Sequence, residues 1–158
     1  MIHRTALTAL AAALLVACAT TPAPAPLADT LARDPQLSTF NRLVAQAGLV
    51  DELRAAGPLT VFAPSDEAFK AVPAKTLEAL AADPAQLKAV LGYHVIDGRV
   101  AAADVKPGGA KTHQGATLAR AKVGSFVTVD DAVVQQADIV ATNGVAHVVD
   151  RVLMPLKK

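Results

Sequence analysis

A change of pattern near residue 107 constrains the fold more than any other feature of this chain. Before it, apolar residues recur at helical spacing, as in the series from Leu37 to Ala47. Beyond Pro107-Gly108-Gly109, short extended runs alternate with polar turns. Helices and strands that are segregated along a chain predict an α+β fold, in which a cluster of helices packs on a mainly antiparallel sheet.

The helical half contains recognisable start and stop signals. Asp34-Pro35 is typical of an N-cap followed by proline at the first helical position, and Gly48 is typical of a helix end. Residues 59–63 predict a short buried strand between helices. Further helices are expected over 49–55, from Pro64 to Val72, over 73–80 and over 84–91, the last with Asp83 as its N-cap. An extended stretch is expected over 93–96.

The second half predicts short strands joined by turns. Asn143-Gly144 separates the last two and is typical of a tight hairpin, because both turn positions favour positive φ. The expected strands cover 116–120, 125–130, 133–136, 138–141 and 145–153.

The N-terminus has the layout of a secretory signal. An apolar run over 5–16 follows the charge of Arg4, and the only cysteine, Cys18, follows Leu15-Val16-Ala17. This resembles a bacterial lipobox, where the thiol takes a diacylglycerol before cleavage. The run is shorter than the ~20 residues of a spanning helix. We therefore expect a lipoprotein signal over 1–17 and a palmitate-type lipid on Cys18; an ordinary signal peptide or a short anchor is the alternative.

A proline-rich segment follows the cysteine. Residues 19–26 favour an extended polyproline conformation, which rises ~3.1 Å per residue. We expect a tether over 18–28 that carries a single domain over 29–158. The absence of aspartate directly after Cys18 resembles lipoproteins of the outer membrane, if the cell is Gram-negative.

Charge and cysteine content exclude several classes of protein. The chain has 15 basic and 14 acidic side chains, and cleavage would remove Arg4, so nothing predicts the basic face of a nucleic-acid-binding protein. With Cys18 acylated, no thiol remains for disulfides, catalysis or metal binding. Four phenylalanines, one tyrosine and no tryptophan leave few aromatic platforms for sugars or single strands.

Three segments resemble the signatures of the fasciclin-like domain family. Residues 60–69 resemble its first box, residues 143–155 its second box, and residues 91–95 its tyrosine–histidine motif. They occur in the family's order, within about 29–156. The resemblance implies a small wedge of mainly antiparallel strands with a cluster of helices, used mainly in secreted or surface-anchored adhesion proteins.

Most residues of these boxes are expected to support the fold. Ser65 or Asp66 should cap the helix after Pro64, which contributes about 1 kcal/mol. His94 should be neutral and bonded to backbone or to that cap, and His147 should be a hydrogen-bonded interior or sheet-edge histidine. The residues with expected structural roles are Phe62, Pro64, Ser65, Asp66, Phe69, Asn143, Gly144 and His147.

The integrin-binding motifs that the resemblance implies are only partly present in this chain. The resemblance implies integrin contacts through the tyrosine–histidine motif and through a Glu-Pro-Asp-Ile-Met segment before the second box. Residues 136–140 stand at that place, and only Asp138 and Ile139 match. Integrin binding is therefore unsupported, and the candidate interaction residues are Tyr93, His94, Asp138 and Ile139.

Catalysis has no complete motif in this chain. There is no Gly-x-Ser-x-Gly elbow, no nucleotide-binding glycine loop and no closely spaced histidine pair. Residues 111–122 are modestly basic and are expected on a solvated strand face. We expect no enzyme activity, no cofactor and no metal; a catalytic site would have to use Ser65, Asp66, His94, His113, His147 and Asp150.

These patterns together predict a lipid-anchored binding or adhesion module of the cell envelope. Its partners would be surface proteins, matrix polysaccharide or a host surface, and its state a monomer or weak homo-oligomer. The alternative is a periplasm-facing structural or small-ligand-binding lipoprotein, in which the helices shield an apolar groove.

Overall fold

The computed structural model describes residues 23–55 and 57–155, in which helices dominate the first half and strands the second. The predicted lipid site at Cys18 and the signal over 1–17 lie outside the described residues. The elements are α1 (Leu27–Ala32), a 3-10 turn (Pro35–Leu37), α2 (Ser38–Gln46), α3 (Val50–Ala55), β1 (Leu59–Pro64), α4 (Asp66–Lys70), α5 (Ala74–Ala82), α6 (Pro84–Tyr93), β2 (Val95–Asp97), a second 3-10 turn (Ala102–Asp104), β3 (Gly108–Lys111), β4 (Thr117–Val123), β5 (Phe126–Val129), β6 (Ala132–Ala141) and β7 (Gly144–Val149).

The seven strands form one sheet in the order β2-β1-β7-β6-β5-β4-β3. Every neighbouring pair is antiparallel except β1 and β7, which run parallel from Leu59–Gly144 to Pro64–Val149. A bridge between Ile96 and Thr112 brings the two ends of the sheet together. The α+β class and the wedge of mainly antiparallel strands are confirmed.

The apolar residues pack in two clusters. One lies between the helices and one face of β1 and β7, and includes Phe40 and Phe69. The other lies inside the curled sheet and includes Phe62 and Tyr93. Because strand residues alternate in direction, Val61 and Phe62 of β1 serve different clusters, and both are fully buried.

The local signals for helix ends hold in the structure. The Asp34 carboxylate accepts from the Gln36 amide, and the Asp83 carboxylate accepts from the amides of Ala85 and Gln86. Gly48 follows α2 with φ of +73°, a conformation that costs glycine little. No helix among the described residues is both long and apolar enough to cross a membrane.

The extended stretch expected over 93–96 begins two residues later. Tyr93 is the last residue of α6, and His94 caps that helix with its amide bonded to the Leu91 carbonyl. The His94 ring also bonds to the Val90 carbonyl, one turn back. These bonds satisfy carbonyls that a helix end otherwise leaves free, so α6 continues as far as Tyr93, inside the motif.

Two strand predictions also change. Gly108-Gly109 was expected to break the pattern, yet both residues belong to β3, where a side chain at Gly109 would overlap that of Thr117. The strands expected over 133–136 and 138–141 are one strand, β6. Its register against β7 shifts between Gln136 and Ile139, and Asp138 has φ of +58°, as at a β-bulge.

The predicted hairpin at Asn143-Gly144 is present, but the turn conformation predicted for it is wrong. Ala141 pairs with Gly144, so Thr142 and Asn143 form the loop, and neither Asn143 nor Gly144 has positive φ. Gly144 is required for a different reason: a Cβ there would overlap the carbonyl oxygen of Leu59 on the parallel strand.

Packing starts earlier than the expected domain boundary at residue 29. Leu27 is fully buried, and Ala25 and Ala28 are nearly so. The Ala25 carbonyl accepts from the Thr142 amide at 2.9 Å and from the Thr30 hydroxyl at 3.0 Å. The last residues of the expected tether are therefore part of the folded unit.

Candidate functional site

His94 is a fully buried connector between α6 and the end of the second signature segment. Its Nδ1–H donates to the Val90 carbonyl at 2.8 Å, and its Nε2 accepts from the Leu153 amide at 3.0 Å. Burial lowers the pKa of His94 to about 4, so the ring is neutral. The expected backbone bonding is thus seen, whereas the alternative bond to the Ser65 or Asp66 cap is not.

His147 has the opposite tautomer in the same sheet region. Its Nε2–H donates to the Val100 carbonyl at 2.8 Å, and its Nδ1 accepts from the Asp138 amide at 3.1 Å. The ring stacks on Phe62 at 5.5 Å between centroids. Burial lowers its pKa, and the residue is an interior histidine, 1% exposed.

The two polar residues of the first box cap different helices. Ser65 Oγ accepts from the Ala68 amide at 3.3 Å and caps α4, as expected. Asp66 instead accepts from the Ser38 hydroxyl at 2.6 Å and the Thr39 amide at 2.8 Å, at the start of α2. Burial alone would raise the pKa of Asp66, but the hydrogen bonds from Ser38 and Thr39 hold it below its ordinary value.

Tyr93 ties α6 to the sheet rather than facing solvent. Its ring is 5% exposed and its hydroxyl donates to the Asp130 carboxylate at 2.6 Å. Burial and that carboxylate raise the pKa of the phenol. Asp130 has φ of +50° and also accepts from the Ala119 amide at 2.9 Å, so one carboxylate fixes a turn and a helix end together.

Asn143, which was expected only to form a turn, also makes hydrogen bonds to three other parts of the fold. Its Oδ1 accepts from the Leu27 amide at 2.7 Å, and its Nδ2 donates to the Leu53 carbonyl at 2.6 Å. Its own carbonyl accepts from the Leu59 amide at 3.0 Å. Because the partners lie 84 to 116 residues away along the chain, no local sequence signal reports them.

The other two candidate interaction residues lie at the β6 irregularity. Asp138 is exposed, and its carboxylate accepts from the Ala102 amide at 2.8 Å. Ile139 is half-buried and packs against the helical core cluster. Tyr93 bonds to Asp130 in the turn after β5 and His94 bonds to Leu153 of the C-terminal segment, so the described hydrogen bonds do not join the four residues into one site.

Most of the polar side chains that a catalytic site would need form hydrogen bonds to backbone groups of the fold. Both ring nitrogens of His94 and of His147 are bonded to backbone groups, and Asp150 accepts from the Val133 amide at 2.7 Å. His113 is half-exposed beside Glu52 and Asp97. Within residues 23–55 and 57–155, no three histidine or acidic side chains meet as metal ligands do.

The helical cluster encloses a small apolar space. It lies among Phe40, Leu53 and Leu91, with Glu52 and His113 at its edge, and has a volume of about 20 Å³. Small-molecule sites usually have ~300–1000 Å³. This space is too small for such a ligand, whereas an open depression of about 680 Å³ lies beside α5 and α6.

The sequence patterns missed an exposed apolar pair at the tip of the β4–β5 hairpin. Val123 is 70% and Phe126 65% exposed, and the two pair across the strands. Phe126 lies within residues expected as a strand, but which face of a strand points outward depends on the neighbours it acquires. The basic stretch over 111–122 is likewise mixed: Lys111 is exposed, whereas Lys122 is half-buried.

Comparisons with known proteins agree with these motifs. Residues 35–155 match the model of the fasciclin domain. Protein sll1483 of Synechocystis is 43% identical over 122 residues, which cover 74% of this chain and 68% of that protein. Transforming growth factor-beta-induced protein ig-h3 of Sus scrofa is 37% identical over 139 residues, but this chain spans only 20% of it.

A solved structure shares the fold. The FAS1 domain pair of the insect cell adhesion molecule Fasciclin I superposes with a TM-score of 0.69, over 83% of this chain and 51% of that one, at 18% identity. The curled sheet and the two signature boxes therefore occur together here. This chain belongs to the fasciclin domain family.

Proposed function

We propose that this chain is a binding module of the adhesion type, held on the cell envelope by a lipid on Cys18. Its relatives include a domain pair of a protein named as a cell adhesion molecule. Its partner would be another surface protein, a matrix polysaccharide or a host surface. It carries out no catalysis and needs no cofactor.

One observation supports a binding role: the polar side chains of the signature segments form hydrogen bonds within the fold. His94, His147 and Ser65 each bond to backbone groups, and Asp66 holds the start of α2. A general base or nucleophile needs a free nitrogen or oxygen facing a substrate. These motifs instead favour a rigid frame that presents its surface loops and strands to a partner.

The sequence around Cys18 supports the anchor. Leu15-Val16-Ala17-Cys18 ends an apolar run, and Ala25 is already packed in the fold, where its carbonyl accepts from the Thr142 amide. Ala25 lies seven positions after Cys18, which would span about 20 Å in a polyproline conformation. An acylated Cys18 would therefore keep the domain close to the membrane surface.

Attachment of intact cells tests the binding role. Cells that lack this chain should attach several-fold less to their own matrix or to neighbouring cells, and the wild-type chain should restore attachment. Protease added to intact cells should remove the domain. If the protease spares the domain while it cleaves other surface proteins, the domain faces the periplasm, and the structural or ligand-binding alternative replaces adhesion.

A further inference from the structure

We propose that the tip of the β4–β5 hairpin is a second membrane contact, in which Val123 and Phe126 enter the headgroup region of the bilayer that holds the lipid anchor. This inference rests on the proposed anchor at Cys18. The occupant is a lipid surface with anionic headgroups.

Phe126 is an exception among the aromatic residues of this chain. Phe40, Phe62 and Phe69 are at most 5% exposed, whereas Phe126 is 65% exposed. Val123 faces it across the hairpin and is 70% exposed, so the two side chains form one apolar tip. A chain with so few aromatic residues places one of them where it gains nothing from the core.

The fold does not require apolar residues at this tip. Along β5, Val127 and Val129 point into the core and are buried, so Phe126 belongs to the opposite face. Gly124, with φ of +61°, supplies the unusual backbone conformation of the loop. Burial in the core therefore does not account for the apolar side chains at 123 and 126, which gain a cross-strand pair but stay exposed.

The charge beside the tip suits an anionic lipid surface. Lys122 precedes Val123, and its ammonium group donates to the Ala103 carbonyl at 3.3 Å. In the part of the chain that the structure describes, no carboxylate forms an ion pair with Lys122. An uncompensated lysine next to exposed apolar side chains is the combination that interfacial membrane contacts use.

The N-terminal chain leaves the domain beside β6, the strand next to this hairpin. Ala23 and Pro24 border the same surface depression as Gln136 and Val140 of β6, and Val140 is itself 64% exposed. β6 is the direct neighbour of β5 in the sheet. With the proposed lipid on Cys18, seven positions before Ala25, the bilayer would lie within reach of β6 and of its neighbour β5.

Tryptophan fluorescence tests this contact, because the chain contains no tryptophan. Phe126→Trp gives a single probe at the tip, and Met154→Trp, at a 38% exposed position outside the hairpin, gives a matched control. Each variant is purified as the lipidated protein and reconstituted into vesicles of phosphatidylethanolamine and phosphatidylglycerol. Circular dichroism confirms that both variants fold.

In vesicles, the emission of the Phe126→Trp protein should shift to shorter wavelength. Lipids brominated near the top of the acyl chains should quench roughly half of it, while the control stays unquenched. Equal quenching in the two variants, or none in either, overturns the contact. A blue shift that needs no vesicles and grows with protein concentration identifies a second copy as the occupant and also overturns it.

A second readout removes the apolar tip. The Val123→Ser, Phe126→Ser double variant should pass between vesicles on the order of tenfold faster than the wild type; an unchanged transfer rate contradicts the contact. Mass spectrometry of the same samples separates the two proposals. Acylated Cys18 with an unquenched probe overturns the hairpin contact alone, whereas a chain without acyl groups overturns both.

Discussion

At the residue scale, two buried histidines are distinguished by which ring nitrogen carries the proton. His94 donates from Nδ1 and His147 from Nε2, and each accepts a backbone amide on its other nitrogen. Protonation would place a second N–H against an amide donor in both cases. The free energy of folding therefore depends on both rings staying neutral.

Acid should weaken the fold through His94. The pKa of His94 is about 4 in the folded chain and 6.5 unfolded, so the unfolded chain binds the proton more tightly. The contribution of the neutral His94 ring to the free energy of unfolding is fully present above pH 6.5. It falls as the pH drops from 6.5 to about 4, and the total loss from this group is at most about 3 kcal/mol. Urea unfolding of the wild type and of His94→Gln across this pH range measures this loss of stability.

The variant should be less stable at pH 7.5 and show a flatter dependence on pH between 6.5 and 4. Gln135→Ala, a change at an exposed residue that does not titrate, should keep the wild-type slope. A slope that is identical in the wild type and in His94→Gln would contradict the role given to His94.

Tyr93 should contribute to folding through its hydroxyl. Tyr93→Phe removes the bond to the Asp130 carboxylate and keeps the buried ring, so the free energy of unfolding should drop by about 1–3 kcal/mol. Thermal unfolding monitored by circular dichroism measures the change. An unchanged melting temperature together with weaker cell attachment would instead make Tyr93 a binding residue.

At the scale of elements, the parallel pairing of β1 and β7 brings the two signature boxes side by side. Phe62 stands opposite His147, and Gly144 lies against the carbonyl of Leu59. The glycine of the second box is thus required by the strand beside it. It is not required by the turn before it, because its φ is not positive.

Two glycine substitutions separate these explanations. Gly144→Ala puts a methyl group into the Leu59 carbonyl, so the variant should lose more than about 3 kcal/mol or fail to fold. Gly124→Ala places its methyl group in open space and meets only the cost of positive φ, about 1–2 kcal/mol. Urea unfolding that shows equal losses in the two variants would contradict the close approach of β1 and β7.

Local patterns predicted those elements whose signals are local. The caps at Asp34, Ser65 and Asp83, and the strand β1, follow from residues within a few positions of each other. The bond from the Tyr93 hydroxyl to Asp130 and the bonds of Asp66 to Ser38 and Thr39 depend on partners far along the chain. No local pattern encodes such partners, and the same is true of which side chains a hairpin leaves exposed.

At the scale of the whole molecule, a bridge joins the two ends of the sheet and apolar residues fill the space inside it. The buried polar groups brace strands and helices. With the proposed lipid on Cys18, the domain would face the membrane on one side and a partner on another.

The mass of the mature N-terminus tests the lipid-anchored module most directly. Wild-type protein extracted from membranes should begin at Cys18 and carry diacylglycerol and palmitate-type chains. Cys18→Ser should accumulate as an uncleaved precursor without acyl groups. A mature Cys18→Ser chain that still partitions into detergent, or a wild-type chain without lipid, would contradict the anchor and with it the placement of this domain at the membrane surface.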